Sequence, residues 1–287
     1  MNNLQIRTNI RATAVLLAST AMVWGGAAFA QSQASQNAQD SDIIIVTAQK
    51  RAQDLQDVPV AITAIGTEKL DQLQVNDLEG AVKFLPSVTI QSISPGFSQV
   101  YFRGVASGEN ANHSSSLPTV GTYLDEMPVT TIQGALDIHA YDLGRVEALA
   151  GPQGTLYGAS SMAGTIKLVS NPPEIGSTYG AADLEVNSVA HGGVGGIAEG
   201  FLNVGLSDNA ALRVVGWYRH DAGYIDNIAG SRTFPTSGIT QDNADLVEED
   251  YNEVDTYGAR LALGIELNDS WTLRPTVMGQ IQKVSGS

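Results

Sequence analysis

The chain has 287 residues, 43% of them hydrophobic but only 6% aromatic, with 30 glycines, no cysteine and a formal net charge of −15. The absent cysteines exclude a disulfide framework, a thiolate metal site and a thiol nucleophile. So acidic a chain is a poor nucleic-acid binder, because phosphate binding needs clustered Lys and Arg.

The first thirty residues read as an export signal. Arg7 and Arg11 supply positive charge, an apolar stretch follows, and Ala28–Ala30 fits the small-x-small cleavage rule. A membrane anchor is the competing reading, but the run is short for a span, contains Gly25 and Gly26, and leads into a polar tail. Residues 31–54 then read as a flexible arm. Its polar tract cannot build a core, yet it carries "DIIIVTA", Asp42 to Ala48, whose β-branched run favours a strand.

Residues 55–173 read as a small mixed α/β domain. "DVPVAITAI" (Asp57–Ile65) is an expected strand. "NDLEGAVKFLP" is an expected helix that opens on Asn76, with Glu79 three residues on, and stops at Pro86. Short strands are expected at "SVTIQS", "QVYFRGV", "TVGTYLD", "RVEALA" and "GTIKLVS", separated by Gly- and Ser-rich loops.

Beyond Glu174 the pattern changes to strict alternation. Tyr257, Ala259, Leu261, Leu263, Ile265 and Leu267 share one face of a strand, and Thr256, Gly258, Arg260, Ala262, Gly264 and Glu266 the other. After "NDS" the alternation resumes, with Trp271, Leu273, Pro275, Val277 and Ile281 on the apolar face. Period two with one apolar face marks a half-buried strand. Strands are expected over 183–190, 197–206, 210–220, 255–267 and from 271 onward. A soluble sandwich alternates in the same way. These strands, however, run to about ten residues, the length of a tilted bilayer span, and tight turns fall at every second connection, as in outer-membrane barrels.

Several motifs carry a resemblance. The block Asp142–Pro173 resembles the end of the plug domain of TonB-dependent outer-membrane receptors. "VYFRGV" (Val100–Val105) and "VGTYLDEMPV" (Val120–Val129) resemble two other plug signatures, and Asp42, Ile43, Ile44, Ile45, Val46, Thr47 and Ala48 resemble the TonB box. The implied fold is an α+β plug domain followed by the first antiparallel strands, about five over residues 174–287, of an incomplete transmembrane β-barrel. Closed barrels that hold a plug need about 22 strands, so a fragment of a longer product is expected. The implied place is the cell outer membrane, as a monomer in contact with lipid.

The resemblance implies transport. A scarce nutrient, most often a ferric siderophore or other iron complex, would bind outside. A TonB-type energy-coupling protein would grasp the box by strand addition. Uptake of a carbohydrate, cobalamin or aromatic compound stays open, as do a passive porin and a soluble periplasmic binding protein. The resemblance also implies plug–barrel contacts at Arg103, Arg145 and Glu147, and a tight plug turn at Gly151, Pro152, Gly154, Tyr157 and Gly158. Ligand would meet the loops near Ser92–Ser98, Ser107–Pro118 and 221–254. One departure weakens the expected latching of the plug: Ala150 stands where the family usually has Arg, and Ala159–Ser161 where Arg-Asn is frequent.

No catalytic residue, metal site or cofactor is expected. "GPQGTLYG" lacks the Gly-Lys-Ser/Thr ending of a phosphate cradle, and His113, His139, His191 and His220 show no ligand spacing. Asp125 and Glu126, read as part of a strand, would point to opposite faces and make a poor acid–base pair. The acidic run Gln241–Asp255 lacks the EF-hand order and reads as a solvated outer loop.

Overall fold

The computed structural model describes residues 6–7, 44–105, 117–132 and 134–286. Two compact units divide the chain near Asn171 and Pro172. No helix among the described residues is long and apolar enough to cross a membrane, which does not bear on strands that do so.

The first unit begins with a two-stranded hairpin, β1 (Ile45–Val46) and β2 (Gln53–Asp54). Lys50, at φ 61°, and the Lys50 N–H bonded to the Thr47 carbonyl at 3.0 Å turn the chain back. The strand expected over Asp57–Ile65 is only β3 (Ile62–Gly66), because Leu55–Asp57 coils into a 3-10 turn capped by the Asp54 carboxylate. Helix α1 (Thr67–Leu73), unforeseen in the sequence, follows directly on Gly66. Helix α2 (Leu78–Val82) starts one residue later than expected. Asp77, not Asn76, is its cap and accepts from the Gly80 N–H at 2.6 Å.

Strands β4 (Val88–Ser94), β5 (Phe97–Phe102), β6 (Val120–Leu124), β7 (Met127–Pro128), β8 (Thr130–Thr131) and β9 (Gly134–Leu136) follow. Then come β10 (Leu143–Ala150), a helical turn α3 (Gly154–Tyr157) and β11 (Gly164–Ser170). A five-stranded sheet runs β3-β10-β11-β6-β7, and a four-stranded sheet runs β4-β5-β9-β8. Only β11 and β6 pair in parallel in the larger sheet. Every residue of β6 is buried. Gly164 is required at its position, because a Cβ there would stand 2.4 Å from the Phe102 ring.

The second unit is an antiparallel meander of long strands: β12 (Tyr179–Ser188), β13 (Val194–Ser207), β14 (Ala210–Asp221) and β17 (Val254–Asn268). Between β14 and β17 a small hairpin, β15 (Ser231–Thr233) with β16 (Thr240–Asp242), organises what reads in the sequence as plain loop. Past β17, the expected single strand from Trp271 is two, β18 (Trp271–Leu273) and β19 (Thr276–Val284), both paired with β17. Pro275 is the reason: it has no N–H to give the ladder, although its carbonyl still accepts from the Leu263 N–H at 3.0 Å.

The alternation is as expected. Leu184, Val186, Leu202, Leu261, Trp271 and Val277 are exposed on one face, while Asn203, Arg213, Thr256 and Arg260 are buried on the other. The Arg213 guanidinium lies 4.1 Å from the centre of the Phe201 ring and bonds the Tyr179 hydroxyl at 3.1 Å. The sheet is open and not closed into a barrel. Along β12, Ile6–Arg7 pair with Val186 and Glu185; an open edge offers unpaired backbone groups to any extended segment.

Candidate functional site

The site is the surface of the plug on which the segment Ile44–Ala48 lies. Asp42 and Ile43 fall outside the described residues; the rest of the segment is folded. For residues 44–54 this corrects the expectation of an exposed, flexible arm; residues 31–43 lie outside the described residues. Val46 and Ala48 project to the same side of an extended chain. Both are buried, at 0% and 1% exposure, in a cluster with Val58, Tyr123, Leu149 and Tyr157. Fully burying a valine contributes about 1.5–3 kcal/mol. Ile45, just before Val46, is 46% exposed.

Thr47 makes the polar contacts. Its N–H donates to Glu147 Oε1 at 2.8 Å, and its hydroxyl donates to the same oxygen at 3.3 Å. That hydroxyl accepts from Arg145 Nη2 at 3.0 Å and from Lys167 Nζ at 2.9 Å. One donor and two acceptor sites are all a hydroxyl has. Arg145 Nε also pairs with Glu147 Oε1 at 2.6 Å. Arg145 and Glu147, expected against the barrel, are thus taken up by Thr47 in the plug. Glu147 and Lys167 face each other across β10 and β11 and are 0% and 1% exposed.

Further out, Lys167 and Lys50 both bond Glu126. Glu126 and Asp125, expected in a strand, instead form the turn between β6 and β7, with Asp125 at φ 52°. The Asp125 carboxylate accepts from the Ser170 N–H and hydroxyl at 2.8 and 2.9 Å. Burial works to raise the pKa of Glu126, but hydrogen bonds and charge from Lys167 and Lys50 outweigh it and hold the group below its usual range. Lys50 Nζ lies 4.4 Å from the centre of the Tyr157 ring.

The expected plug turn is present. Gly151 and Gly158 adopt φ of 94° and 78°, which glycine alone takes without strain. Pro152 leads into Gln153, whose N–H bonds the Ser161 carbonyl at 2.7 Å, and Gly154 opens the short helical turn. The product of this geometry is Tyr157, whose hydroxyl donates to the Ala48 carbonyl at 2.9 Å. Burial, reinforced by the carboxylates of Glu147 and Glu126 and by Tyr123, pushes the Tyr157 phenol far up, so it stays a donor. Tyr123 in turn donates to the Tyr157 carbonyl.

Arg103 is exposed, at φ 50°, in a turn closed by the Val105 N–H on the Phe102 carbonyl at 2.9 Å. Of the expected ligand loops, Ser92–Ser98 is the tip of the β4–β5 hairpin, and most of Ser107–Pro118 lies outside the described residues. The loop after β14 is held by Asn252, which accepts from the Tyr224 and Ile225 N–H groups, and by Asn243. It leaves Tyr224 and Ile228 exposed. Among the described residues, no three His, Asp or Glu are grouped to hold a metal.

Residues 54–165 match the family model "TonB-dependent Receptor Plug Domain". This is the plug of a TonB-dependent receptor. The chain is 33% identical over 152 residues to the pesticin receptor of Yersinia pestis, across 51% of this chain and 21% of that protein. It is 29% identical over 184 residues to the vitamin B12 transporter BtuB of Vibrio vulnificus, across 58% of this chain and 29% of that one. It therefore spans under a third of the length of either relative. A crystal structure of a ferric enterobactin receptor (PfeA) variant from Pseudomonas aeruginosa shares the fold, at a TM-score of 0.57 and 18% identity, covering 84% of this chain and 35% of that one. The plug is followed by the opening strands of the receptor's β-barrel, and the protein belongs to the cell outer membrane. Its family is one of transport receptors.

The sequence missed Lys167, Glu126, Lys50 and Tyr123 as partners of the box. The one available signal was Lys167 itself, a charge in the middle of the strand-like "GTIKLVS".

Proposed function

We propose that this receptor takes up a scarce nutrient by energy-coupled transport, and that residues 42–48 are the handle by which a TonB-type coupling protein pulls. The observation that carries the reading is the docked box. Its hairpin is a separate two-stranded sheet, with no ladder to the plug sheet. It is held by side chains and apolar contact, so a partner that adds to its backbone can draw it away without breaking a plug strand. An iron complex is the proposed cargo, as the commonest in the family. Arg103, exposed on the plug, is the proposed contact to a carboxylate of the barrel.

The test is uptake by cells that carry the full-length receptor, with and without a protonophore. Uptake should stop when the gradient is dissipated, and Ile45→Pro should stop it while leaving surface binding intact, because proline removes a backbone donor. Uptake that ignores the protonophore would make the protein a passive pore.

A further inference from the structure

We infer that the connection between β14 and β17 is a docking arm for a short extended peptide, basic and apolar in alternation, which adds to it as a third strand. The connection is a two-stranded ladder over most of its length. The Tyr251 N–H bonds the Ile225 carbonyl at 2.7 Å, Asn227 and Glu248 exchange backbone bonds at 2.8 and 3.2 Å, and the Asn243 N–H bonds the Gly230 carbonyl at 3.2 Å. The hairpin of β15 and β16 carries the ladder on to the Phe234 N–H, which bonds the Ile239 carbonyl at 2.9 Å. Bonded and unbonded pairs alternate in an antiparallel ladder. The bonds at 230–243 and 234–239 therefore leave Ser231, Thr233, Thr240 and Asp242 with their backbone N–H and C=O groups pointing outward. Among the described residues β15 and β16 pair only with each other, so both edges are open to an added strand.

The side chains select the occupant. Every residue from 228 to 242 is exposed, and an isolated two-stranded hairpin is only marginally stable in water. Yet Phe234, Ile239, Leu246 and Val247 stand in the open, and Ile228 is 76% exposed. Exposed apolar side chains rimmed by polar ones mark an interaction surface. Side chains alternate along each strand, so the tip has two faces. Phe234 and Ile239 stand opposite each other on one, and Thr233, Thr240 and Asp242 lie on the other. Residues 221–254 carry eight acidic side chains and one basic, and so hold −7 of the chain's −15. The one cation, Arg232, lies 5.2 Å from the centre of the Phe234 ring. An anionic partner would meet like charge. An added strand of alternating basic and apolar residues sets its apolar side chains beside Phe234 and Ile239 and its cations beside Asp242. The regular strands are three residues each, a footprint for a short peptide and not for a folded domain.

The arm is independent of the proposed transport, since binding to it needs neither a gradient nor the box. The probe is a synthetic peptide of alternating lysine and valine, titrated against purified full-length receptor in detergent, with a peptide of alternating glutamate and valine as the control. Charge complementarity should make the lysine peptide bind at least about tenfold more tightly. Its affinity should fall as salt is raised, and it should slow amide exchange at Thr233 or at Thr240. Phe234→Ser should weaken binding severalfold, and so should Asp242→Asn combined with Asp245→Asn. Thr233→Pro and Thr240→Pro each remove one outward donor and spare the bonds between the two strands. The proline on the edge that is used should abolish binding, and the proline on the other edge should not. Equal affinity for the two peptides overturns the inference, as does binding that neither proline disturbs. So does slow exchange at both Thr233 and Thr240 before any peptide is added, which would mean that the rest of the receptor already covers the arm. A receptor that binds the lysine peptide on one edge but shows no energised uptake supports the arm and contradicts the transport reading.

Discussion

The plug sheet and the long-stranded sheet place their apolar residues in opposite ways. In the plug, Val146, Ile166 and Leu168 are buried on one face, and Glu147 and Lys167 are sealed beneath the box on the other. In the meander, Leu184, Leu261, Trp271 and Val277 are exposed, and Arg213, Arg260 and Asn203 are buried. Both sheets follow the same period of two. What differs is the solvent for which each face is written. The exposed apolar rows suit hydrocarbon, which also demands that every backbone group be paired within a closed wall. The buried charges of the plug are instead paired within it, Glu147 with Arg145 and Lys167 with Glu126.

The comparison breaks most readily on the lipid-facing rows. Leu261→Arg, at the middle of β17, should cost about 2–4 kcal/mol of folding free energy in vesicles, the depth-dependent penalty for a cation in the bilayer. Its neighbour Ala262, buried on the other face, should take Ser at far lower cost, and equal costs would mean that the faces are misassigned. Full-length receptor refolded into vesicles and titrated with denaturant gives both numbers.

A smaller effect sharpens the plug side. Tyr157→Phe removes the hydrogen bond to the Ala48 carbonyl, worth about 1 kcal/mol, and should loosen the box without moving the sheet. Amide exchange within residues 44–48 should quicken about fivefold on that estimate, while β10 and β11 stay unchanged.

The smallest effect concerns pH. The Glu126 pKa is depressed in the folded protein, so its ties to Lys167 and Lys50 stabilise the docked box above the ordinary carboxylate value of 4.5 and are lost as pH falls through the depressed one. Between pH 7 and 5 the box should therefore hold unchanged, and it should loosen only in more acidic buffer. Glu126→Gln should remove that acidic transition, read by the same exchange measurement.

Much of this was legible in local pattern. The faces of β17 follow from Tyr257 to Leu267 alone, and the plug turn from the spacing of Gly151, Gly154 and Gly158. The β-branched run at Ile43–Val46 announces a strand. What the run docks against is not local: Thr47 meets Glu147 and Lys167 at sequence separations of 100 and 120 residues. No propensity reports such a pairing. The polar spacer before the box suggested an exposed arm, but Val46 and Ala48 needed only a small apolar seat, and Leu149, Tyr123 and Tyr157 form one. The break at Pro275 and the cap at Asp77 were both written in the sequence. Alternation concealed the first, and an adjacent Asn the second.

Hydrogen exchange at the Thr47 amide of the intact receptor tests the docked box most directly. That N–H donates to a buried carboxylate. It should exchange as slowly as neighbouring plug-strand amides. Unstructured-chain exchange at Thr47 before any partner is present would contradict the account.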